Sequence, residues 1–280
     1  MKVVLFCGGF GLRMRGEIDD VPKPMVRVGY RPILWHVMRY YAHYGHNEFV
    51  LCLGWKADVV KRYFLDYDEC LTNDFTLRDG GAEVELLSRD IDDWKITFVD
   101  TGHGANIGQR LKMVESYVAD EPMFLANYTD GLTDFHLPRM IEGFDPDAAA
   151  GAFLSVKPRH TFHTVEIEGS GRVTGIQPIE RSALWMNGGF FLFTPEIFRQ
   201  MRPGDELVNG PFQRLIEQER LYTWRHDGFW SCMDTFKEKQ ELDDLWARGS
   251  APWEVWRRPA PVVPANRAAA DPRVVRLSQV

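Results

Sequence analysis

Three glycines and two nearby cations near the start of the chain predict a site for a polyphosphate. The glycines follow a short apolar run, at Gly8, Gly9 and Gly11. A glycine-rich turn after a strand exposes backbone N–H groups and lets phosphate oxygens approach the main chain closely. Arg13 and Lys23 add positive charge beside the turn. The glycines alone could also form a tight turn that binds no ligand. The two cations favour a nucleoside triphosphate site instead.

This turn matches neither of the two common phosphate-binding motifs. The dinucleotide motif requires a third glycine where this chain has Met14, and the P-loop requires a Gly-Lys-Ser/Thr ending that this segment lacks. An NAD-linked oxidoreductase is therefore not favoured.

Two aspartates are candidates for holding a divalent metal ion beside this turn. Asp130 follows the apolar run Pro122–Asn127, at the position where α/β sheets place ligand-contacting residues. Asp234 precedes a predicted helix at Thr235–Arg248. Carboxylates bind Mg²⁺, which bridges phosphate oxygens. An Asp-Gly turn at Asp130 and a helix N-cap at Asp234 are the alternatives, and sequence spacing alone does not show that the two carboxylates meet.

The composition indicates a globular protein that does not bind nucleic acid. The chain has 280 residues, 45% of them hydrophobic and 26% charged, and a net charge of −7. A nucleic-acid-binding protein usually presents a basic face. No apolar run approaches a membrane span, no signal peptide is recognisable, and the four cysteines form no CxxC pair. We therefore expect a cytoplasmic protein with reduced thiols and no membrane partner.

The first elements alternate between strand and helix, which predicts a parallel, doubly wound sheet. They are a strand at 3–7, a helix at Pro32–Tyr44, a strand at Glu48–Leu53 and a helix at Ala57–Leu65. Residues 75–99 predict a small β excursion that returns to the main sheet.

Further along the chain, strands are predicted at Pro122–Asn127, Gly151–Pro158, Val165–Ile176 and Asn187–Thr194, and helices at Asn106–Val118, Phe212–Gln218 and Thr235–Arg248. We expect residues 1–256 to form one domain and residues 257–280 to form a C-terminal tail.

The chain resembles the sugar nucleotidyltransferases, and most closely their glucose-1-phosphate cytidylyltransferase branch. The motifs that carry this resemblance keep their order over roughly residues 1–256. They include Gly8-Gly9-Phe10-Gly11-Leu12-Arg13, Pro22-Lys23-Pro24-Met25, Asp100-Thr101-Gly102, Asp130-Gly131, Asn187-Gly188-Gly189-Phe190-Phe191, Gly228-Phe229-Trp230 and Met233-Asp234-Thr235. The resemblance implies a Rossmann-like α/β nucleotidyltransferase fold, with a mainly parallel central sheet flanked by helices and a small β excursion.

The resemblance also implies a role for individual residues. The catalytic residues would be Arg13 and Lys23, the metal ligands Asp130 and Asp234, and the sugar-binding residues Asn187 and Gly188. The nucleotide would contact Gly8, Gly9, Gly11, Arg13, Arg110 and Asp130. In the implied reaction, which uses Mg²⁺, a phosphate oxygen of α-D-glucose 1-phosphate attacks the α-phosphorus of CTP, which yields CDP-glucose and pyrophosphate. The family commonly forms homo-oligomers.

Three positions depart from the family pattern. Leu12 replaces a threonine and Gln109 replaces a glycine beside the nucleotide. The family's Glu-Lys-Pro, whose lysine binds the sugar phosphate, aligns with Gln177-Pro178-Ile179, so Pro178 replaces that lysine. The nearby side chains that could compensate are Arg159, His160, His163 and Arg181.

This loss of a cation keeps two alternatives open. The same chemistry could act on a different sugar 1-phosphate, a cyclitol phosphate or another nucleoside triphosphate. A non-catalytic nucleotide-sugar-binding module is the second alternative, although it has less need of both Asp130 and Asp234. The chain offers cations and carboxylates suited to phosphoryl transfer, and no obvious Ser-His-Asp or Cys-His nucleophile. This combination favours a nucleotidyltransferase over a binding module.

Overall fold

The computed structural model describes residues 1–9, 21–159 and 162–257. The strands, in chain order, are β1 (Lys2–Phe6), β2 (Arg27–Val28), β3 (Arg31–Pro32), β4 (Glu48–Leu53), β5 (Phe75–Arg78), β6 (Glu83–Leu86), β7 (Lys95–Asp100), β8 (Phe124–Asn127), β9 (Gly131–Thr133), β10 (Gly151–Val156), β11 (His163–Ile167), β12 (Val173–Pro178), β13 (Met186–Phe193), β14 (Leu221–His226) and β15 (Trp230–Cys232). The α-helices are α1 (Ile33–His43), α2 (Ala57–Leu65), α3 (Ile107–Met113), α4 (Glu115–Val118), α5 (Pro138–Glu142), α6 (Gln213–Glu217) and α7 (Phe236–Ala247).

Seven strands form the central sheet in the order β14-β10-β13-β8-β1-β4-β7. All neighbours run parallel except β13, which is antiparallel to both β8 and β10. The expected mainly parallel sheet flanked by helices is confirmed. Because β13 runs the other way, its first residues lie at the sheet edge where β1, β8 and β10 end. In parallel sheets this edge usually carries the ligand site.

Both faces of the sheet are buried, which explains why its central strands are apolar without alternation. On β1, Val3 and Leu5 pack into one core cluster together with α1, and Val4 and Phe6 pack into a second cluster on the opposite face. A strand covered on both sides needs apolar residues at every position. The continuous run Val3–Phe6 satisfies this need.

Two hairpins project from this core. In the excursion predicted at residues 75–99, β5 and β6 form a hairpin. Its last residues, 95–99, belong to β7 of the central sheet. β11 and β12 pair on either side of a turn at residues 168–171 and form a separate two-stranded sheet. The predicted strand at Val165–Ile176 is therefore wrong in its extent, since the turn divides it.

Two further sequence predictions differ from the structure. The helix predicted at Asn106–Val118 is divided at Val114 into α3 and α4, with Asn106 as the N-cap of α3. The edge strand β14 was not predicted, because residues such as Tyr222 and Arg225 are exposed and its pattern is not that of a buried strand.

The part of the chain from 1 to 257 that the structure describes contains no helix long and apolar enough to cross a membrane. Apart from Arg257, the predicted C-terminal tail lies outside the described residues.

Candidate active site

Lys23, Asp130 and Asp234 meet at one place, although they lie in three distant parts of the chain. Lys23 Nζ donates to Asp130 Oδ2 at 2.7 Å and also to Asp234 Oδ1. Lys23 begins a 3-10 turn that runs to Met25, with Pro22 as its N-cap. The structure therefore brings the two aspartates together, which the sequence spacing left undecided.

The backbone around Asp130 is held in an unusual conformation. Thr129 has a φ of 66°, which is costly for a β-branched residue. Its backbone N–H donates to Asn127 Oδ1 at 2.7 Å, and its hydroxyl donates to the carbonyl of Phe6 at 2.9 Å. The N–H of Met233 donates to the carbonyl of Asp130 at 2.8 Å. These bonds fix Asp130 at the end of β8 and join its segment to the one that carries Asp234.

A capping box at the start of α7 positions Asp234. Thr235 is the N-cap, and its hydroxyl accepts from the N–H of Glu238 at 3.2 Å. The Glu238 carboxylate accepts in return from the N–H groups of Asp234 and Thr235, each at 2.8 Å. Thr235 therefore caps the helix, and Asp234, which precedes it, directs its carboxylate to Lys23.

Burial and opposite charge act together on this cluster. The side chains of Lys23, Asp130 and Asp234 are 16%, 30% and 34% exposed. Burial raises the pKa of Asp130, and the neighbouring Lys23 ammonium opposes that rise only in part. Burial works to lower the pKa of Lys23, but the charges and hydrogen bonds of the two aspartates outweigh it, so this pKa is raised. Lys23 is therefore charged at neutral pH.

The chemistry of this pair suits a divalent metal ion. Carboxylate oxygens are the ligands that Mg²⁺ prefers, and Mg²⁺ is commonly held by one or two protein carboxylates, with water and phosphate oxygens completing its shell. The ammonium of Lys23 bonds both carboxylates, so this position already holds a positive charge. Within the described ranges, no group of three or more His, Cys, Asp or Glu residues could hold a metal ion. A site here would therefore consist of Asp130 and Asp234 together with oxygens of the substrate.

Arg110 is buried against Gly8, the first glycine of the predicted turn. Its guanidinium donates to the carbonyl of Gly8 at 2.9 Å, the carbonyl of Gly102 at 3.0 Å and the hydroxyl of Thr101 at 2.6 Å. A Cβ at Gly8 would lie 2.0 Å from Arg110 Nη1. Position 8 therefore needs glycine, and Arg110 holds the backbone carbonyl of Gly8 in place. The contact of Arg110 with the nucleotide stays a prediction.

Gly9 follows at the surface, where a Cβ would meet no other atom within 4 Å. Gly11 and Arg13, which complete the predicted nucleotide contacts, lie outside the described residues.

Asn187 and Gly188 lie at the start of β13, at the same sheet edge as Asp130. The Asn187 amide nitrogen donates to the hydroxyl of Tyr128 at 3.4 Å. The carbonyl of Gly188 accepts from the indole N–H of Trp230 at 2.9 Å. A Cβ at Gly131 would lie 3.7 Å from this same carbonyl. The predicted sugar-binding residues and the acidic pair are thus neighbours, and contact with the sugar stays a prediction.

Neither Tyr128 nor Trp230 had a predicted role at this site, although Trp230 belongs to the Gly228-Phe229-Trp230 motif. Tyr128 is half-buried, and burial raises the pKa of its hydroxyl. Trp230 is buried between Gly131 and Gly188. The signal that could have indicated Tyr128 is its position between a buried strand and Asp130.

Three of the four candidates to replace the missing lysine, Arg159, His163 and Arg181, lie within the described residues. Pro178 ends β12, opposite His163 of β11. Arg159 donates to the carbonyl of Gly228 at 3.0 Å and lies 5.4 Å from the ring centre of Phe229. The remaining two candidates are Arg181, which ends an exposed 3-10 turn, and His160, which lies outside the described residues.

Known proteins resemble this chain over most of its length. The family described as "Nucleotidyl transferase" matches residues 2–231. The glucose-1-phosphate cytidylyltransferase of Salmonella typhi is 34% identical over 91% of this chain and 100% of its own length. The "Probable glucose-1-phosphate cytidylyltransferase" of Bacillus subtilis (strain 168) is 36% identical with the same coverage. Among solved structures, UTP-bound UGPase from Acinetobacter baumannii superposes with a TM-score of 0.64 at 17% identity, covering 88% of this chain and 92% of that one.

Proposed function

This chain belongs to the nucleotidyl transferase family, and on that basis we propose that it joins CTP and α-D-glucose 1-phosphate to give CDP-glucose and pyrophosphate. The observation that carries this proposal is the meeting of Lys23, Asp130 and Asp234 at the sheet edge. The 34–36% identity to cytidylyltransferases over their whole length supports the choice of substrates. These relatives do not favour a different acceptor or a non-catalytic binding module.

The residues of this chain suit the reaction because it requires positioning and charge neutralisation more than proton transfer. The phosphate of a sugar 1-phosphate is ionised at neutral pH, so it attacks without a strong general base. In phosphoryl transfer, catalysis depends on holding the two phosphates in line and balancing their negative charge. Lys23 supplies one positive charge beside the acidic pair, and Arg13 is proposed to supply another.

Mg²⁺ is the proposed cofactor, and Asp130 with Asp234 would hold it. When bound, the ion would neutralise charge on the nucleotide phosphates and orient them. The glycine turn, which Arg110 supports at Gly8, would place backbone N–H groups against the same phosphates.

We further propose that the enzyme works as a homo-oligomer in the cytoplasm. Exposed apolar side chains on the two hairpins, among them Leu77 and Ile176, give it surface to bury between subunits. Sedimentation equilibrium of the purified chain would decide the number of subunits.

Pyrophosphate release across a grid of nucleoside triphosphates and sugar 1-phosphates tests the proposed reaction. We expect release with CTP and glucose 1-phosphate in the presence of Mg²⁺, and its loss on adding EDTA. Release with another pair only would contradict the proposed substrates. Nucleotide binding without release from any pair would instead support the non-catalytic module.

A further inference from the structure

Lys157 and Arg225 gather around one aromatic ring at the edge of the sheet. Lys157 directly follows β10, and Arg225 lies on the neighbouring parallel strand β14, where it pairs with Ser155. Lys157 Nζ lies 4.4 Å from the ring centre of Trp185, and Arg225 Cζ lies 5.3 Å from the same centre. The ring attracts both cations and limits the directions in which they point.

No carboxylate balances these two charges within residues 1–9, 21–159 and 162–257. Lys157 Nζ donates to the carbonyls of Ser182 at 2.8 Å and Leu184 at 3.5 Å, and neither Lys157 nor Arg225 forms an ion pair there. Other cations of the described chain do find carboxylates, for example Arg31 with Asp90. Lys157 is half-buried and Arg225 is exposed. Two like charges beside one ring, without a carboxylate partner in these ranges, favour binding of an anion.

The strand pairing places the positive charge of Lys157 at the same edge of the sheet as the candidate active site. In the pairing of β10 with β13, Ser155 lies opposite Asn187 and Val156 lies opposite Met186. A Cβ at Gly188 would lie 3.0 Å from the side chain of Val156. Lys157 thus directly follows, in sequence, the two residues of β10 that lie beside the predicted sugar-binding pair. β10 is two strands from β8, or about 10 Å across the sheet, and β8 leads directly to Asp130.

We infer that Lys157 binds the phosphate of the sugar 1-phosphate and takes the place of the lysine that Pro178 has replaced. Among the described residues, Lys157 is held by neutral carbonyls and by an aromatic ring. A phosphate dianion would form a stronger, charge-assisted bond with the same ammonium. Arg225 adds positive charge beside Lys157, and Trp185 is a positioning residue for both. This inference rests on the proposed function.

Lys157 fits this role better than the cation nearest to it in sequence. Arg159 is also without a carboxylate in the described residues, but its guanidinium lies over Phe229 and bonds the carbonyl of Gly228. Gly228 and Phe229 precede β15, whose last residue, Cys232, pairs with Gly131 next to Asp130. Arg159 is therefore held toward the end of β15 that lies farther from the acidic pair.

Kinetics of Lys157→Met and Lys157→Arg test the inference. For Lys157→Met we expect the KM for glucose 1-phosphate to rise about ten- to a hundredfold, which is the usual contribution of a hydrogen bond to a charged group. The KM for CTP should change less than twofold, because the nucleotide binds at the glycine turn. Lys157→Arg should recover part of the lost affinity, since it keeps the charge.

Lys95→Met is the matched control. Lys95 is a lysine at the opposite edge of the sheet, where it begins β7 and pairs with Glu48. We expect both KM values of this variant to equal those of the unmodified enzyme. An unchanged KM for glucose 1-phosphate in Lys157→Met would overturn the inference, and so would an equal rise in both KM values.

A failure of the proposed function would be distinguishable from a failure of this inference. If the unmodified protein releases no pyrophosphate from CTP and glucose 1-phosphate, the proposed reaction is wrong. Calorimetric titration with inorganic phosphate then tests whether Lys157 binds an anion. Weaker phosphate binding by Lys157→Met than by Lys95→Met would support a phosphate site at Lys157, and equal binding would contradict it.

Discussion

The guanidinium of Arg110 occupies the space that a side chain at Gly8 would need. Arg110 is 2% exposed, and it donates to the carbonyl of Gly8 at 2.9 Å. Its other bonds, to Leu53, Thr101, Gly102 and His103, join the ends of β4 and β7 to the glycine turn. The cation that supports the predicted nucleotide loop is therefore part of the protein's own interior. This arrangement links the position of Gly8 to α3, which carries Arg110.

Replacing Gly8 with alanine should impair both stability and nucleotide binding. The new Cβ would lie 2.0 Å from Arg110 Nη1 and would displace a buried guanidinium from its acceptors. Leaving buried acceptors unpaired costs about 1–3 kcal/mol each. We expect a lower melting temperature and at least a tenfold weaker binding of CTP by calorimetry. Gly9→Ala is the control, because a Cβ there meets nothing within 4 Å, and it should melt within about 2 °C of the unmodified protein. Equal melting of the two variants would contradict the support role of Arg110.

Replacing either acidic residue with its amide should strongly slow the metal-dependent reaction while the fold persists. Asp130→Asn and Asp234→Asn each remove one candidate metal ligand and one carboxylate bond of Lys23. A rate loss of roughly a hundredfold or more is expected, by analogy with other groups that stabilise charge in the transition state. Pyrophosphate release measures the loss, and the Mg²⁺ concentration for half activity should rise.

The double variant Asp130→Asn/Asp234→Asn provides a stricter test, because residues that act as one unit lose activity non-additively. It should be little slower than either single variant. Glu241→Gln is the control, since this exposed carboxylate pairs with Lys237 on α7. Activity in Asp234→Asn equal to that of the control would rule out a catalytic role for Asp234.

Replacing Arg31 with methionine should loosen the segment that carries the β5–β6 hairpin. The Arg31 guanidinium donates to Asp90, to the hydroxyl of Tyr67 and to the carbonyl of Thr72. The side chains of Arg31 and Asp90 are only 14% and 11% exposed, so the variant leaves a buried carboxylate without its partner. Such a loss costs about 3–5 kcal/mol. We expect denaturant unfolding at lower urea and faster proteolysis within residues 68–92.

Arg31→Met/Asp90→Asn is the control for this effect. It also removes the unpaired negative charge of Asp90, so it should recover part of the lost free energy of unfolding. If the double variant is as unstable as the single one, the buried charge is not the cause.

Because His36 is buried as a neutral ring, the free energy of unfolding should fall in mild acid. Burial lowers its pKa from 6.5 to about 4, and the ring bonds the carbonyl of Val28 at 3.0 Å and the indole N–H of Trp253 at 3.2 Å. The unfolded chain binds a proton at this ring below about pH 6.5, whereas the folded chain does so only below about pH 4. Stability is therefore complete above pH 6.5 and falls as the pH drops toward 4. The full effect is about 3 kcal/mol.

Melting temperatures between pH 7.5 and 4.5 measure this dependence. His36→Gln should be less stable at pH 7.5 but should lose less stability on acidification. Some dependence should persist in this variant, because burial also lowers the pKa of His46 to about 4. His163→Gln, at an exposed position of β11, is the control and should follow the unmodified protein. An identical slope in His36→Gln and the unmodified protein would show that His36 does not contribute.

Local patterns predicted most of the central sheet but few of the contacts within the site. Continuous apolar runs identified β1 and β4, because strands buried on both faces have no polar positions. The hydroxyl of Thr235 and the carboxylate of Glu238 are the elements of a capping box, so the start of α7 was recognisable within one residue. β14 was missed, since an edge strand tolerates exposed polar residues such as Arg225.

The sequence by itself determined the family, the mainly parallel sheet and the residue types of a phosphate site, because these depend on composition, local periodicity and short motifs. Only the tertiary structure decided that Asp130 and Asp234 meet at Lys23, that Arg110 lies beneath Gly8 and that Lys157 lies beside Trp185. These pairs are 104, 102 and 28 residues apart in sequence. Contacts of this kind depend on the order and direction of strands in the sheet, above all on the antiparallel β13, which no local pattern encodes.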